Sequence, residues 1–306
     1  MIKTAVVTGG AGFIGSNLVD KLVELGVRVT ILDNLSTGKI ENINEKASFI
    51  YMDISDDSNL NALCTIMENV DVVFHLAAMA RVQPSIKDPI LFNRHNVNAT
   101  LNVLTAAQKS KVKRFVYSAS SSAYGNGNPL PLKEGMPTNP MSPYGLQKLI
   151  GEEYCKLFTE VYGLETVCLR YFNVFGERQN SEGAYCTVLG IFSRLMKEGN
   201  PLTITNDGEQ RRDFTYVGDV VDANILAAES NKVGKGDVIN IGSGQNSSVN
   251  EIAEIFGGEK KSMGNVLEPR ETLADNSKAS ELLGWTPKVE VKNWLKNYLN
   301  GIQQSA

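Results

Sequence analysis

Through its first half the chain alternates short apolar runs with longer amphipathic stretches. Lys3 to Thr8 reads as a buried strand, and Val27 to Leu32 as a second that ends at Asp33. Between them a glycine-bearing stretch leads into helical spacing as far as about Leu25. Ser48 to Met52, Asp71 to Leu76, Arg114 to Ser118 and Thr166 to Arg170 predict four more strands. Helices are predicted from about Pro89 to Lys109 and from Ser142 to about Tyr162. Apolar strands alternating with helices indicate a parallel sheet covered on both faces, hence an α/β fold. After Phe172 the pattern becomes irregular. Helical stretches near Thr187–Glu198, Val217–Glu229, Val249–Phe256 and Ser277–Leu283 are separated by short strands and by loops bearing Gly, Asn and Pro. The expected organisation is a large domain over 1–173 and a smaller, interleaved α/β lobe over 174–212 and 242–306. Residues 213–241 are expected to pack back onto the large sheet.

In doubly wound sheets ligands collect at the carboxyl ends of the strands. Gly9, Asp33, Asp53, Ala77, Ser120 and Asn173 all fall just after predicted strands and should line one crevice. The first turn reads Gly9-Gly10-Ala11-Gly12-Phe13-Ile14-Gly15, between a strand and a helix, with Asp33 closing the next strand. That order marks a Rossmann-type dinucleotide site. Glycines let the backbone approach a pyrophosphate, and the helix N-terminus presents free N–H groups to it. A carboxylate at Asp33 accepts hydrogen bonds from ribose hydroxyls and repels a 2′-phosphate. Asn34 rather than Arg follows it, so NAD is expected in preference to NADP.

Ser142 and Pro143 read as the N-cap and first position of a helix. Tyr144 and Lys148 then lie one turn apart on one face. A lysine ammonium beside a phenol favours the phenolate and makes the tyrosine a usable base. The same spacing also occurs on ordinary amphipathic helices; the dinucleotide context is what points it to chemistry.

The bulk composition narrows the function further. The chain has 306 residues, 42% hydrophobic and 21% charged, as in a globular protein able to bury a sizeable core. A net charge of -4 gives no electrostatic ground for nucleic acid or an anionic membrane as partner. Cys64, Cys155, Cys168 and Cys186 lack metal or redox spacing, and two histidines (His75, His95) are too few for a histidine metal centre. With no signal-peptide pattern and no apolar run of membrane-spanning length, the expected location is cytoplasmic.

With these residues in hand, the chain resembles the extended short-chain dehydrogenases/reductases, and within them the NAD-dependent nucleotide-sugar epimerase/dehydratase family. The motifs are Thr8 to Gly15, Asp33 to Gly38, Asp53-Ile54, His75 to Ala78, the serine run at 118–122 and Tyr144-x-x-x-Lys148. Arg170 to Gly176, Arg212 to Val217 and Ala274 to Lys278 complete the set in the family's order. The resemblance implies that Gly9, Gly12, Phe13, Ile14 and Gly15 meet the pyrophosphate. It places Asp33, Asn34, Ser36, Thr37 and Gly38 around the adenosine ribose, and Asp53 and Ile54 at the adenine. Leu76, Ala77, Ala78, Asn96, Ser118 and Tyr171 would complete the cofactor contacts, with Lys148 also binding the nicotinamide ribose. Ser120, Tyr144 and Lys148 would be catalytic. Ser121, Ser122, Asn173, Arg212, Arg270 and Thr272 would bind the UDP-sugar substrate, with Thr187, Val188, Thr203, Ile204 and Thr205 cradling the uridine. The sequence departs from the family at His95, where Asn or Thr is usual, and at Glu268 to Thr272, where an Arg-Pro-Gly-Glu stretch is shortened.

Family members share an opening step in which the sugar 4-hydroxyl is oxidised to a 4-keto group. Dehydratases and decarboxylases usually carry an acid directly after the catalytic Ser/Thr, whereas this chain has Ser121 and Ser122. Hydroxyls cannot replace a carboxylic acid in elimination or proton shuttling. The expected reaction is therefore 4-epimerisation of UDP-glucose or UDP-N-acetylglucosamine. A UDP-glucuronate epimerase or decarboxylase, or a non-catalytic NAD-sensing protein, are the alternatives. Arg170 to Gln179 with Gly183 to Tyr185 resembles the N-acetylglucosamine enzymes, and a small Thr272 leaves room near C2. The family's Rossmann-lobe helices commonly form a homodimer, which makes the stretches 90–109 and 142–162 the expected interface.

Overall fold

The first strand-turn-helix closes around residues without side chains. A Cβ on Gly15 would stand 2.1 Å from the Gly9 carbonyl oxygen, and one on Gly9 would meet the Ala77 nitrogen at 2.7 Å, with Gly9 at φ +71°. Only glycine fits there. The turn joins β1 (Thr4–Thr8) to α1 (Phe13–Glu24), followed by β2 (Arg28–Asp33) and β3 (Ser48–Tyr51). Next come α2 (Leu60–Ile66), β4 (Val72–His75), α3 (Val82–Lys87), α4 (Pro89–Asn93), α5 (Ala99–Lys109) and β5 (Arg114–Ser120). The Tyr144 helix is α6 (Pro143–Tyr162), which leads to β6 (Glu165–Tyr171). This computed structural model describes residues 1–181 and 186–305, so Gly183 to Tyr185 lie outside the described residues.

The rest of the chain contains β7 (Val174–Phe175), α7 (Val188–Lys197), β8 (Leu202–Ile204), β9 (Arg211–Asp213), β10 (Thr215–Tyr216) and α8 (Val217–Glu229). They are followed by β11 (Lys235–Ile241), β12 (Asn246–Ser248), α9 (Val249–Phe256), β13 (Lys260–Ser262), α10 (Ser277–Leu283) and α11 (Val291–Ser305). Seven strands form one parallel sheet in the order β11-β6-β5-β4-β1-β2-β3. β11 thus joins the sheet beside β6, and α8 packs next to α1. One face carries α1, α8 and α10 over a core that includes Val7, Leu18, Phe74 and Trp285. The other carries α2, α5 and α6 over Leu63, Val103, Phe115 and Phe158. A third apolar cluster, among α7, α9 and α11, uses Phe192, Ile252 and Leu295.

Two differences from the sequence expectation have local causes. The expected single helix over 89–109 is split by a π-helical segment, Arg94–Asn98, which turns the buried Asn96 towards Met79 and Gln147. Helix α11 was not anticipated, although Val291, Leu295 and Leu299 recur every four residues and are all buried.

Beneath α6 lies a buried ion pair. Arg170 donates from Nε and Nη2 to the two Glu152 oxygens at 2.8 and 2.6 Å, and its guanidinium carbon sits 4.5 Å from the Tyr124 ring centroid. Both partners are 3% exposed. Removing one leaves an uncompensated buried charge, so Arg170→Met should cost about 3–5 kcal/mol. The double variant Glu152→Leu/Arg170→Met should recover most of that loss in urea unfolding.

Candidate active site

The strand order reverses between β1 and β4, and a cavity of about 700 Å³ opens at the carboxyl ends of the strands there. The glycine turn lines one side. Asp33 ends β2 with its carboxylate accepting from the backbone N–H groups of Ala11 (3.0 Å) and Leu35 (2.8 Å). Gly38 packs against this carboxylate behind the cavity wall. Asp53 accepts from the Ser55 N–H (2.9 Å) and hydroxyl (2.7 Å), and its second oxygen lies 3.6 Å from Arg94. Burial works to raise the Asp53 carboxyl, but the Ser55 hydrogen bonds and the nearby His95 and Arg94 hold it below its ordinary value. His95 also lines the cavity.

Helix α6 brings Tyr144 and Lys148 to the cavity wall. Ser142 caps it, accepting from the Gly145 N–H at 3.1 Å, and Pro143 occupies the first turn. The Ser85 hydroxyl of α3 accepts the Tyr144 N–H at 3.1 Å, docking α3 to the start of α6. Tyr144 and Lys148 both face the cavity, with Ser118 to Ser122 opposite. Lys148 is 3% exposed and donates to the Ser118 carbonyl at 2.7 Å. Ser120 and Ser122 share a hydroxyl–hydroxyl bond of 2.6 Å, and the Ser120 hydroxyl is close enough to the Tyr144 phenol to favour its ionised form.

The electrostatics differ from the simple expectation for a Tyr-Lys pair. Burial pushes the Tyr144 phenol above its ordinary value, with the Ser120 hydrogen bond and the Arg81 charge opposing it. Burial brings Lys148 down to about 8. The cost of desolvating a phenolate outweighs the help from the protein's own cations.

On the far side, Asn173 donates to the Asp213 carbonyl at 3.0 Å, and Thr187 caps α7. Val188, Thr203, Thr205 and Thr272 line the wall there. Arg212 does not pair with Asp213 or Glu209; its Nη2 donates to Glu268 at 2.5 Å. Asp213 is instead a fully buried anchor, accepting from the N–H groups of Ser243, Gly244 and Ala274.

Four expected site residues are not among the residues lining the cavity: Gly38, Asn96, Ile204 and Arg270. Ile204 belongs to the third core cluster. Asn96 works from behind, bonded twice to Met79 at 2.8 and 2.9 Å. Arg270 turns outward and pairs with Asp207 at 2.7 Å, both well exposed. Two lining segments were not anticipated, Met79 to Pro84 and Val266 to Pro269. Gln83 donates to the Leu267 carbonyl at 3.2 Å and joins them across the crevice. No periodicity marks either segment; an arginine after the His75 to Ala78 motif was the one available signal.

A dinucleotide cradle facing a Tyr-Lys helix across one crevice is the arrangement of the extended short-chain dehydrogenases/reductases, the class into which the chain falls. Within that class it belongs to the NAD dependent epimerase/dehydratase family, which matches residues 5–242. The chain is 36% identical to a UDP-glucose 4-epimerase of Mycolicibacterium smegmatis, over 93% of each chain. Among solved structures it is similar to the UDP-glucose 4-epimerase of Thermotoga maritima bound to UDP-glucose, with TM-score 0.92 and 38% identity over 99% of each chain. It is also similar to a UDP-N-acetylglucosamine 4-epimerase of Methanobrevibacter ruminantium in complex with UDP-N-acetylmuramic acid. There the TM-score is 0.91 and the identity 37%, covering 100% of this chain and 99% of the other. No helix among the described residues is long and apolar enough to cross a membrane.

The lowered Lys148 carries a stability signature. Its folded value of about 8 lies below the ordinary lysine value of 10.5, so the folded state holds its proton less tightly than the unfolded chain. Charged Lys148 therefore costs stability below pH 8, by about 3 kcal/mol at most. The cost fades as pH rises from about 8 to 10.5. Lys148→Met should unfold at a higher temperature than the unaltered protein at pH 7, and the difference should shrink towards pH 10. Calorimetry at both pH values checks this.

Proposed function

We propose that the chain interconverts UDP-hexoses that differ in configuration at C4, with the gluco-configured sugar or its N-acetylated form as substrate. The observation that carries this reading is Ser120, Tyr144 and Lys148 around the middle of a crevice, with the glycine turn at one end and Arg212 at the other. The residues present fit NAD: the turn has no room for side chains at Gly9 or Gly15, and Asp33 presents a carboxylate at the end of β2. Gly12, Phe13, Ile14, Asn34, Ser36 and Thr37 would hold it with them. Bound there, NAD supplies a reversible hydride acceptor whose ring carries positive charge.

Tyr144 takes the proton of the sugar 4-hydroxyl, and Ser120 shares that proton through its hydrogen bond to the phenol. Lys148 holds a positive charge one helical turn away. Arg212 binds the diphosphate by exchanging Glu268 for phosphate oxygens, for which its planar fork is suited. Ser121 and Ser122 offer no acid, which supports return of the 4-keto sugar to an alcohol over elimination or decarboxylation. The hydride that left C4 returns to its opposite face once the 4-keto sugar has turned over in the crevice, which gives the 4-epimer. Thr272, a small residue beside Asn173, supports room for an N-acetyl group at C2. We further propose that residues 1–173 serve the cofactor and the later segments the nucleotide sugar.

Incubation with UDP-glucose and UDP-N-acetylglucosamine separately, followed by proton NMR, should show inversion at C4 with at least one of them. Tyr144→Phe should lower kcat by about 10²-fold or more while UDP affinity changes little. Near-normal turnover in Tyr144→Phe would remove the mechanism.

The protein is also proposed to form a homodimer. Ile90 of α4 and Leu146, Leu157 and Val161 of α6 are exposed apolar residues in the two expected stretches. Sedimentation velocity should give the mass of two chains, and Leu157→Glu/Val161→Glu should shift it to one.

A further inference from the structure

Arg81 is a charged residue of the cavity that neither the cofactor reading nor the diphosphate reading uses. Asp33, Asp53 and His95 belong to the part of the wall after β2 and β3, and Arg212 pairs with Glu268 at the other end. Arg81 immediately precedes α3, the helix docked through Ser85 to the start of α6, and it lines the cavity with Tyr144 and the serine run. Its charge is close enough to act on the Tyr144 phenol. Its backbone sits at φ 136° and ψ 138°, a conformation that residues with side chains rarely adopt. The bonds of Asn96 to Met79, and of the Ser85 N–H to the Arg81 carbonyl at 3.4 Å, brace the segment on either side. Strain of this kind concentrates where a side chain must point at a ligand.

Arg81 and Lys148 both line the cavity with Tyr144, and the positions after Ser120 are hydroxyls. The Arg81 charge favours the Tyr144 phenolate, and its guanidinium has more donors than that task uses. We propose that Arg81 is a specificity-determining residue that selects a UDP-hexose bearing a carboxylate on a substituent next to C4. The inference rests on the epimerase reading. Tyr144 works at O4, so a group beside Tyr144 meets substituents of C3 or C5, while the diphosphate on C1 points the other way, to Arg212. A guanidinium has five donors in a fixed plane, so Arg81 can keep contacts within the protein and still present a matched pair to a carboxylate.

The test compares two pairs of sugars that differ by the acid: UDP-glucose with UDP-glucuronate, where the carboxylate is on C5, and UDP-N-acetylglucosamine with UDP-N-acetylmuramate, where a lactyl ether carries it on O3. C4 inversion is followed by proton NMR. In at least one pair, kcat/KM should favour the acidic sugar by about tenfold to a hundredfold. Which pair shows the preference identifies C5 or C3 as the recognised position. Arg81→Met should lower that acidic-to-neutral ratio by a similar factor, and Arg81→Lys should retain part of it. An unaltered protein that prefers the neutral sugar in both pairs overturns the inference. So does an Arg81→Met variant that loses both sugars of a pair equally, since Arg81 would then serve Tyr144 or the fold. Absence of C4 inversion with all four sugars overturns the epimerase reading, and this inference with it; neutral-sugar turnover with an unchanged ratio overturns this inference alone.

Discussion

Helix α6 meets strands β5 and β6 through a seam that is partly polar, and the crevice takes its shape from that contact. Lys148 gives its ammonium to the Ser118 carbonyl at the end of β5, and Glu152 one turn later pairs with Arg170 of β6. Between them Gly151 lies against the Tyr117 ring, where a Cβ would stand 2.2 Å from the phenolic oxygen. Each contact has strong geometric demands, so α6 has little freedom to slide or rotate on the sheet. Tyr144 is consequently held opposite Ser120. The seam carries an energetic cost, because a lysine and an ion pair are taken out of water.

Charge is distributed unevenly along the crevice. Carboxylates gather after β2 and β3, at Asp33 and Asp53. Cations gather at the Tyr144 end and at Arg212. Glu268 holds Arg212, with Asn206 and Gln210 donating to the same carboxylate. In the proposed reading a diphosphate would displace Glu268 from Arg212, because two phosphate groups offer more charge and more acceptor oxygens than one carboxylate. The phenol of Tyr144 lies above its ordinary value, so the protein alone keeps it protonated at neutral pH. The positive charge that the family's cofactor would bring has a clear electrostatic task.

Much of this was legible in the residues themselves. The strands of the parallel sheet, the glycine turn, Asp33, the Ser142 cap and the Tyr144–Lys148 pair all depend on neighbours a few positions apart. Side-chain period, capping and turn chemistry are local, and they determine the α/β class, the dinucleotide turn and the helix that carries Tyr144 and Lys148. Arg270, expected at the diphosphate, instead meets Asp207 across 63 positions. Arg212 meets Glu268 across 56. Arg81 comes beside Tyr144 only because α3 docks on α6, and Asn96 acts from behind the wall only because a π-helical turn rotates it inward. These outcomes belong to the tertiary structure, since an ionic side chain takes the partner that folding places within reach, and spacing along the chain carries no record of that distance.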